Sequence, residues 1–217
     1  MAVSVAICVG KETADSVRDA VSEAAQKLNV GPYTDGDADF GPLSSEIHMN
    51  KVVSYIDKGV AEGADLVVDG RNLNLQGYEK GYFVGPTVFD RVTSDMTIYK
   101  EEIFGPVLGI VRCSSYSDAV SLVDNHELGN GAALFTNDGG VSRHFVEKTQ
   151  IGMVGVNVPI PVPVAYHSFG GWKRSLFGDH HMHGPEGIRF YTKLKTATIA
   201  WPAGANTGPE FSIPVLS

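Results

Sequence analysis

The chain has 217 residues, 43% of them hydrophobic and 19% charged, with a formal net charge of −8. It is long enough to bury a core in one large or two small domains, and its composition is typical of globular proteins. The acidic balance argues against a nucleic-acid partner, because such proteins usually present a basic face.

Targeting and redox signals are sparse. No apolar run approaches the ~18 residues of a membrane span, so no membrane partner is expected, and residues 1–9 lack the features of a secretory signal. Cys8 and Cys113 are too few and too far apart for a disulfide framework. We therefore expect a cytoplasmic protein, or one of the mitochondrial matrix if the source is eukaryotic.

The first half of the chain predicts alternating strands and helices. Residues 2–9 alternate as a strand that places Val3, Val5 and Ile7 on one face and Ser4, Ala6 and Cys8 on the other. Apolar residues at helical spacing predict helices over 11–28 and 44–60. Residues 66–68 predict a short strand, and residues 82–89 an extended segment broken by a Gly-Pro turn. This alternation indicates an α/β fold.

The second half continues the alternation and then loses it. Residues 107–111 predict a buried strand, 115–126 a helix with a capping-box-like start, 132–135 a strand, and 151–158 another strand after a helix that opens at 137–138. Residues 159–168 are rich in proline and predict irregular structure, and 178–187 predict a loop with three histidines. Ile188 to Ala200 predicts a long late strand, of the edge type that often pairs with another chain.

The stretch Glu-Glu-Ile-Phe-Gly-Pro-Val at 101–107 is the first candidate site. An acid and an aromatic held at the mouth of a strand suit a ribose hydroxyl and a flat ring, since a carboxylate accepts from hydroxyls and a phenyl offers an apolar face. An exposed acidic turn with a core phenylalanine accounts for the same residues equally well. Phe169 and Tyr166 lie in a Pro/Gly-rich segment, where aromatics favour a pocket wall or an interface over a core.

Other chemistry-bearing residues predict no catalytic or metal site. Cys8 and Cys113 lie in or at the end of apolar strands, where burial makes a thiol inert, so we predict structural roles and no internal nucleophile. The histidine tract at 179–183 lacks both the His-Glu-x-x-His spacing and a cysteine pair, which favours a solvated loop. Gly-Asn-Gly at 129–131 lacks the third glycine of a dinucleotide-binding fingerprint.

Five motifs occur in an order that identifies a family resemblance. They are Gly-Pro-Leu at 41–43, Gly-Tyr-Phe-Val-Gly-Pro-Thr-Val at 81–88, Glu-Glu-Ile-Phe-Gly-Pro-Val at 101–107, Phe-Gly-Gly-Trp-Lys at 169–173 and Phe-Tyr-Thr at 190–192. This series resembles the aldehyde dehydrogenase superfamily. Residues 152–163 and 172–179 are similar to its methylmalonate-semialdehyde dehydrogenase (CoA-acylating) branch. The resemblance covers essentially the whole chain but only the C-terminal portion of that family's polypeptide.

The resemblance implies a fold and a division of the chain. It implies a three-layer α/β region similar to the aldehyde dehydrogenase catalytic domain over residues 1–175, and an oligomerisation strand with a C-terminal tail over 176–217. The nucleotide-binding domain is expected to be absent. The family's catalytic cysteine would lie one residue before Met1, in a Gly-Gln-Arg-Cys segment that precedes the first strand. A homo-oligomer, dimer or tetramer, formed through Ile188 to Ala200 is the implied assembly.

The resemblance also implies roles for the candidate residues. Glu102 would bind the nicotinamide-side ribose of NAD, Phe104 would pack against that ribose or ring, and Phe169 and, less strongly, Tyr166 would line the aldehyde passage. The complete enzyme would use NAD and coenzyme A to convert malonate or methylmalonate semialdehyde into acetyl-CoA or propionyl-CoA, CO2 and NADH. This chain alone is expected to be inactive. The alternative is a non-enzymatic structural or interaction remnant of an aldehyde dehydrogenase.

Overall fold

The computed structural model describes residues 3–199 and 201. Its strands and helices follow the chain in this order: β1 (Val5–Val9), α1 (Lys11–Lys27), α2 (Glu46–Ala61), β2 (Asp65–Val68), β3 (Thr87–Asp90), α3 (Thr97–Lys100), β4 (Val107–Cys113), α4 (Tyr116–Asn125), β5 (Leu128–Gly129), β6 (Gly131–Leu134), α5 (Gly139–Lys148), β7 (Met153–Val156), β8 (Trp172–Lys173) and α6 (Gly184–Tyr191). None of the helices in these residues is long and apolar enough to cross a bilayer.

A four-stranded mixed sheet in the order β1-β4-β3-β2 carries the core. β1 and β3 both run parallel to β4, and β2 runs antiparallel to β3. Two smaller ladders follow, one antiparallel between β5 and β8 and one parallel between β6 and β7. The sequence-based expectation of an α/β fold is confirmed.

Helices cover both faces of the four-stranded sheet. On one face Ala14 and Ala25 of α1 pack with Cys8, Val88 and Ile110. On the opposite face α2 and α3 pack on Phe89, Val107 and Val111, and Val5 and Ile7 contribute from β1. The predicted two-faced character of the first strand is therefore confirmed: odd positions face one cluster, and Ala6 and Cys8 face the other.

Side-chain caps begin three of the helices where the sequence indicates a start. Ser45 and Ser115 accept hydrogen bonds from the backbone N–H groups of His48 and Asp118, at the beginnings of α2 and α4. Asp138 accepts from the N–H groups of Gly140 and Val141 at the beginning of α5. Each bond satisfies an N–H that has no partner within the helix, which fixes the start of the element.

The predicted late strand over Ile188 to Ala200 is wrong in its first part. Residues 188–191 form the end of α6, and the predicted loop over 178–187 is shortened because α6 begins at Gly184 with Pro185 in its first turn. Proline at this position is pre-organised for a helix and has no N–H to lose. Residues 192–199 pair with no strand in the described part of the chain, and Ala200 lies outside it. Pairing with a second copy stays a prediction.

A buried ion-pair network joins α1 to the sheet. Asp90 at the end of β3 is buried, and its carboxylate accepts two hydrogen bonds from Arg112, at 2.8 and 2.6 Å. Arg112 also donates to Asp15 of α1 at 2.7 Å. These bonds from Arg112 lower the pKa of Asp90. Bonds from Lys11 and Arg112 lower the pKa of Asp15 to about 2.

We expect Asp90→Asn to lower the free energy of unfolding by about 3 kcal/mol at neutral pH, because it leaves a largely buried guanidinium incompletely paired. The Asp90 contribution is present above the unfolded-state pKa of about 3.9 and is lost as the pH falls through the lower folded-state value. Urea unfolding at a series of pH values from about 7 to about 2.5 measures both the loss of stability at neutral pH and its dependence on pH. Asp19→Asn is the control, since Asp19 pairs with Arg18 at the surface and such pairs contribute at most about 1 kcal/mol. Equal losses in the two variants would contradict the expectation.

Candidate functional site

The loop that joins α3 to β4, residues 101–106, is anchored at several points. The Glu101 N–H donates to the Thr97 carbonyl at 3.0 Å, and the Pro106 carbonyl accepts from the Thr87 N–H at 2.8 Å. Between these bonds Ile103 is buried in the core. Gly105 lies so close to α2 that a Cβ there would come within 2.7 Å of a Val52 methyl carbon. The loop is therefore fixed by backbone bonds and by packing.

The two acids of this loop have different surroundings. Glu101 accepts a short hydrogen bond from the phenol of Tyr55, which is buried on α2. Glu102 is exposed. Because the fixed backbone on either side limits where Glu102 can point, its carboxylate is available to accept hydrogen bonds from a ligand hydroxyl.

Phe104 has a strained backbone. Its φ is +61°, in the left-handed region, while its side chain remains 75% exposed. An L-residue in this region costs on the order of 1–2 kcal/mol, and a bulky aromatic residue rarely adopts it. The sequence alternative of a core phenylalanine is therefore wrong. A strained backbone that presents an apolar ring to the surface is typical of a binding site.

The loop lies at the amino end of the parallel strands. Val5 of β1 is in register with Gly109 of β4, and the Gly109 N–H donates to the Ser4 carbonyl at 3.1 Å. The residues directly before β1 therefore lie at the same end of the sheet as the loop that carries Glu102 and Phe104. Strands in this sheet are neighbours at about 4.8 Å, so groups at this edge can share one ligand.

Phe169 and Tyr166 lie in the irregular segment between β7 and β8. The Phe169 ring is half-buried and stacks on His183, with centroids 4.5 Å apart and planes at 9°. Tyr166 is 73% exposed and packs against the neighbouring His167. Among the described residues, no aromatic pair or hydrogen bond joins Phe169 or Tyr166 to Glu102 or Phe104. Phe169 and Tyr166 are therefore neighbours along the chain, and the described part of the structure shows no direct interaction of this pair with Glu102 and Phe104.

Lys173 holds the segment that carries Phe169, a role that the sequence analysis missed. Its Nζ donates to the carbonyls of Val123, Asp124 and His126, at 3.2, 2.8 and 3.1 Å, and so neutralises the C-terminus of α4. Its φ is +53°. The only sequence signal is that Lys173 ends a Gly-Gly-Trp-Lys motif, and nothing in that motif identifies carbonyls about fifty residues earlier.

The cysteines do not form a nucleophilic site. Cys8 is buried and Cys113 is half-buried, and burial raises the pKa of both thiols. They face opposite sides of the sheet, since Cys8 belongs to the cluster beneath α1 and Cys113 packs against the other. The prediction of a buried structural thiol is confirmed for Cys8, whereas Cys113 is only partly covered.

The histidine tract has local structural partners. His180 lies with its Nδ1 2.5 Å from a Glu186 carboxylate oxygen, and His183 stacks on Phe169. Within residues 3–199 and 201, no group of three or more His, Cys, Asp or Glu side chains is arranged to hold a metal ion. These contacts connect the start of α6 to the Phe169 segment.

We expect Phe104→Gly to be more stable than Phe104→Ala by about 1–2 kcal/mol, because glycine adopts the left-handed conformation without steric cost. The alanine variant keeps the strained backbone and removes the exposed ring, so the comparison isolates the backbone term. Urea midpoints of the two variants measure it. An alanine variant as stable as the glycine variant would show that the loop releases its strain when the ring is removed.

Comparison with known proteins finds relatives that match almost the whole chain. The aldehyde dehydrogenase family profile matches residues 1–197. The chain is 53% identical over 217 residues to a malonate-semialdehyde dehydrogenase of Pseudomonas aeruginosa, covering 100% of this chain and 44% of that protein. It is 43% identical over 201 residues to one of Halalkalibacterium halodurans, covering 93% of this chain and 41% of that protein.

Solved structures agree with the sequence matches. A putative methylmalonate-semialdehyde dehydrogenase from Sinorhizobium meliloti, complexed with NAD, superposes with a TM-score of 0.91 at 54% identity, covering 93% of this chain and 41% of that one. A methylmalonate-semialdehyde dehydrogenase from Oceanimonas doudoroffii gives 0.89 at 53% identity, covering 92% and 41%. The chain spans less than half the length of these relatives, and it belongs to the aldehyde dehydrogenase family.

Proposed function

We propose that this chain is the C-terminal portion of an NAD-dependent, CoA-acylating malonate- or methylmalonate-semialdehyde dehydrogenase. The observation that carries the proposal is 53% identity over all 217 residues to a malonate-semialdehyde dehydrogenase of which they span 44%. The anchored loop that exposes Glu102 and Phe104 supports it, because this pair fits one part of a dinucleotide. The overall reaction of the longer protein would give acetyl-CoA or propionyl-CoA, CO2 and NADH.

The described residues fit the sugar and ring of a nicotinamide nucleotide. Glu102 accepts hydrogen bonds from the vicinal hydroxyls of a ribose, and the exposed Phe104 ring covers an apolar face of the sugar or base. NAD, when bound, supplies the hydride acceptor. Its phosphates need N–H groups or cations from elsewhere, since the sequence contains no glycine-rich phosphate loop.

The aldehyde side of the proposed site comes from other segments. Phe169, steadied by His183 and by the Lys173 anchor, is proposed to line the aldehyde passage, and Tyr166 to extend the same wall. The nucleophile is proposed to be a cysteine of the longer protein, one residue before Met1, on the polypeptide that leads into β1 at the end of the sheet carrying Glu102 and Phe104. Its thiolate would attack the semialdehyde carbonyl, and loss of hydride to NAD would leave a thioester. Loss of CO2 and attack by the thiol of coenzyme A would then release the acyl group as acetyl-CoA or propionyl-CoA and regenerate the cysteine.

We expect the purified 217-residue chain to produce no detectable NADH from malonate or methylmalonate semialdehyde with NAD and coenzyme A. Both internal thiols have raised pKa values, which suppress the reactive thiolate. NADH absorbance measures the rate, and intact mass verifies the chain. Robust NADH production would contradict this part of the proposal, and its persistence in a Cys8→Ser/Cys113→Ser variant would point to a nucleophile other than cysteine.

In the longer polypeptide that joins this chain to a dinucleotide-binding portion, we expect Glu102→Gln to raise the KM for NAD about tenfold. The change weakens a charge-assisted hydrogen bond to the ribose while keeping the side-chain volume. Steady-state kinetics with each substrate varied in turn measure the effect. Glu23→Gln on α1, whose acid pairs only with Lys27 at the surface, is the matched control. An unchanged KM for NAD would indicate that a residue other than Glu102 binds the ribose. A longer polypeptide without activity would favour the non-enzymatic alternative.

A further inference from the structure

Helix α2 holds both ends of the loop that carries Glu102 and Phe104. Val52 lies directly beneath Gly105, and Tyr55 donates to the Glu101 carboxylate. Residues three apart on a helix lie on one face, so the two contacts come from one surface of α2. This surface of α2 therefore contacts the first and fifth residues of the loop, Glu101 and Gly105.

The Tyr55 ring is restrained by its surroundings, and its hydroxyl makes a polar contact with the loop. The Tyr55 side chain is only 4% exposed, and the ammonium groups of Lys51 and Lys58 lie 5.6 and 5.1 Å from its ring centroid. The hydrogen bond to the negatively charged Glu101 raises the pKa of the Tyr55 phenol, because it stabilises the protonated form. A buried ring cannot swing away to follow a moving loop, so the hydroxyl fixes Glu101 in place.

Fixing the two ends determines what lies between them. Ile103 is buried in the core beneath the loop. Glu102 and Phe104, on either side of Ile103, are both exposed. The left-handed backbone of Phe104 persists only while its surroundings over-determine it. Releasing Glu101 therefore removes one of the contacts that hold Glu102 and Phe104 in place, while the buried Ile103 and the packing of Gly105 on Val52 remain.

We propose that Tyr55, acting through Glu101, is a positioning residue that sets Glu102 and Phe104 relative to each other for binding of the nicotinamide ribose. The inference rests on the proposed function, and it adds two residues to which that function assigns no role. Tyr55 is buried and does not touch the ligand. Its loss is expected to weaken cofactor binding without altering the aldehyde side of the reaction.

The first test measures the loop in this chain directly. Tyr55→Phe removes one hydroxyl and keeps the buried ring. We expect hydrogen exchange of the Glu101 amide, which donates to the Thr97 carbonyl at 3.0 Å, to accelerate about tenfold, the scale of one hydrogen bond to a charged group, while the amides of β4 keep their rates. Glu101→Gln retains an acceptor oxygen, so its exchange rate is expected to lie between those of the unsubstituted chain and Tyr55→Phe.

The control for this measurement is Tyr116→Phe, which removes a hydroxyl at the start of α4 that lies 3.0 Å from the Nδ1 of His144. It is expected to leave the exchange of the Glu101 amide unchanged. Equal acceleration of loop and β4 amides in Tyr55→Phe would indicate a general loss of stability and overturn the inference. Unchanged loop exchange would overturn it as well.

The second test uses the longer polypeptide. Tyr55→Phe is expected to raise the KM for NAD about tenfold, to leave the KM for the semialdehyde unchanged, and to be partly reproduced by Glu101→Gln. If Glu102→Gln raises the KM for NAD and Tyr55→Phe does not, the positioning role is wrong while the proposed function stands. If neither variant changes it, the ribose contact of Glu102 is wrong and the positioning role in cofactor binding fails with it. A longer polypeptide that oxidises neither semialdehyde with NAD would overturn the proposed function itself.

Discussion

The left-handed backbone of Phe104 is the constraint around which this part of the molecule is arranged. A phenylalanine that is 75% exposed recovers little hydrophobic free energy to offset a positive φ. The conformation is held because α2, the core and the amino end of β3 each contact a different residue of the loop. The four-stranded sheet and α2 therefore fix the positions of two exposed side chains, Glu102 and Phe104.

The acidic residues at the two ends of the parallel strands have different roles. Asp90 is enclosed and shares Arg112 with Asp15, so its lowered pKa reflects an ion pair that holds α1 to the sheet. Perturbed pKa values often mark functional sites, but they also mark structural ion pairs. Here the perturbed acids belong to the structure. The candidate ligand-binding acid, Glu102, is identified by exposure and by the rigidity of its loop.

Sequence patterns predicted elements whose signals are local. The period-2 alternation of β1, the helical spacing of apolar residues in α2, the capping-box-like start of α4 and the Asn-Asp start of α5 were sufficient to place those elements to within a few residues. The helix α3 was missed because four residues are too few to display a period. The late strand was mispredicted because β-branched and aromatic residues over 188–200 suggested an extended segment, whereas the Gly-Pro start and the period of the first turns favour a helix.

Contacts between distant residues lay beyond any such pattern. Glu102 and Phe104 could be selected from their motif, but the bond from Tyr55 to Glu101 spans 46 residues and the Lys173 bonds span 47 to 50. Neither Tyr55 nor Lys173 differs in its local sequence from an ordinary helix-face tyrosine or a surface lysine. Only the fold shows that each fixes a loop, and both loops carry residues proposed to meet the substrate or cofactor.

Magnitudes explain why Glu102 and Phe104 form only part of a site. One charge-assisted hydrogen bond contributes roughly 1.5–3 kcal/mol and one aromatic contact with a base or sugar roughly 1–3 kcal/mol. Association costs an estimated 4–15 kcal/mol in lost translational and rotational freedom. The two contacts therefore cannot hold a dinucleotide alone, but they can orient one whose phosphates are bound elsewhere. For such a ligand the position of the carboxylate and the ring matters more than their strength, because a displacement of about 1 Å at a reacting centre can cost a hundredfold in rate. A strained, clamped loop fits that requirement better than a flexible one.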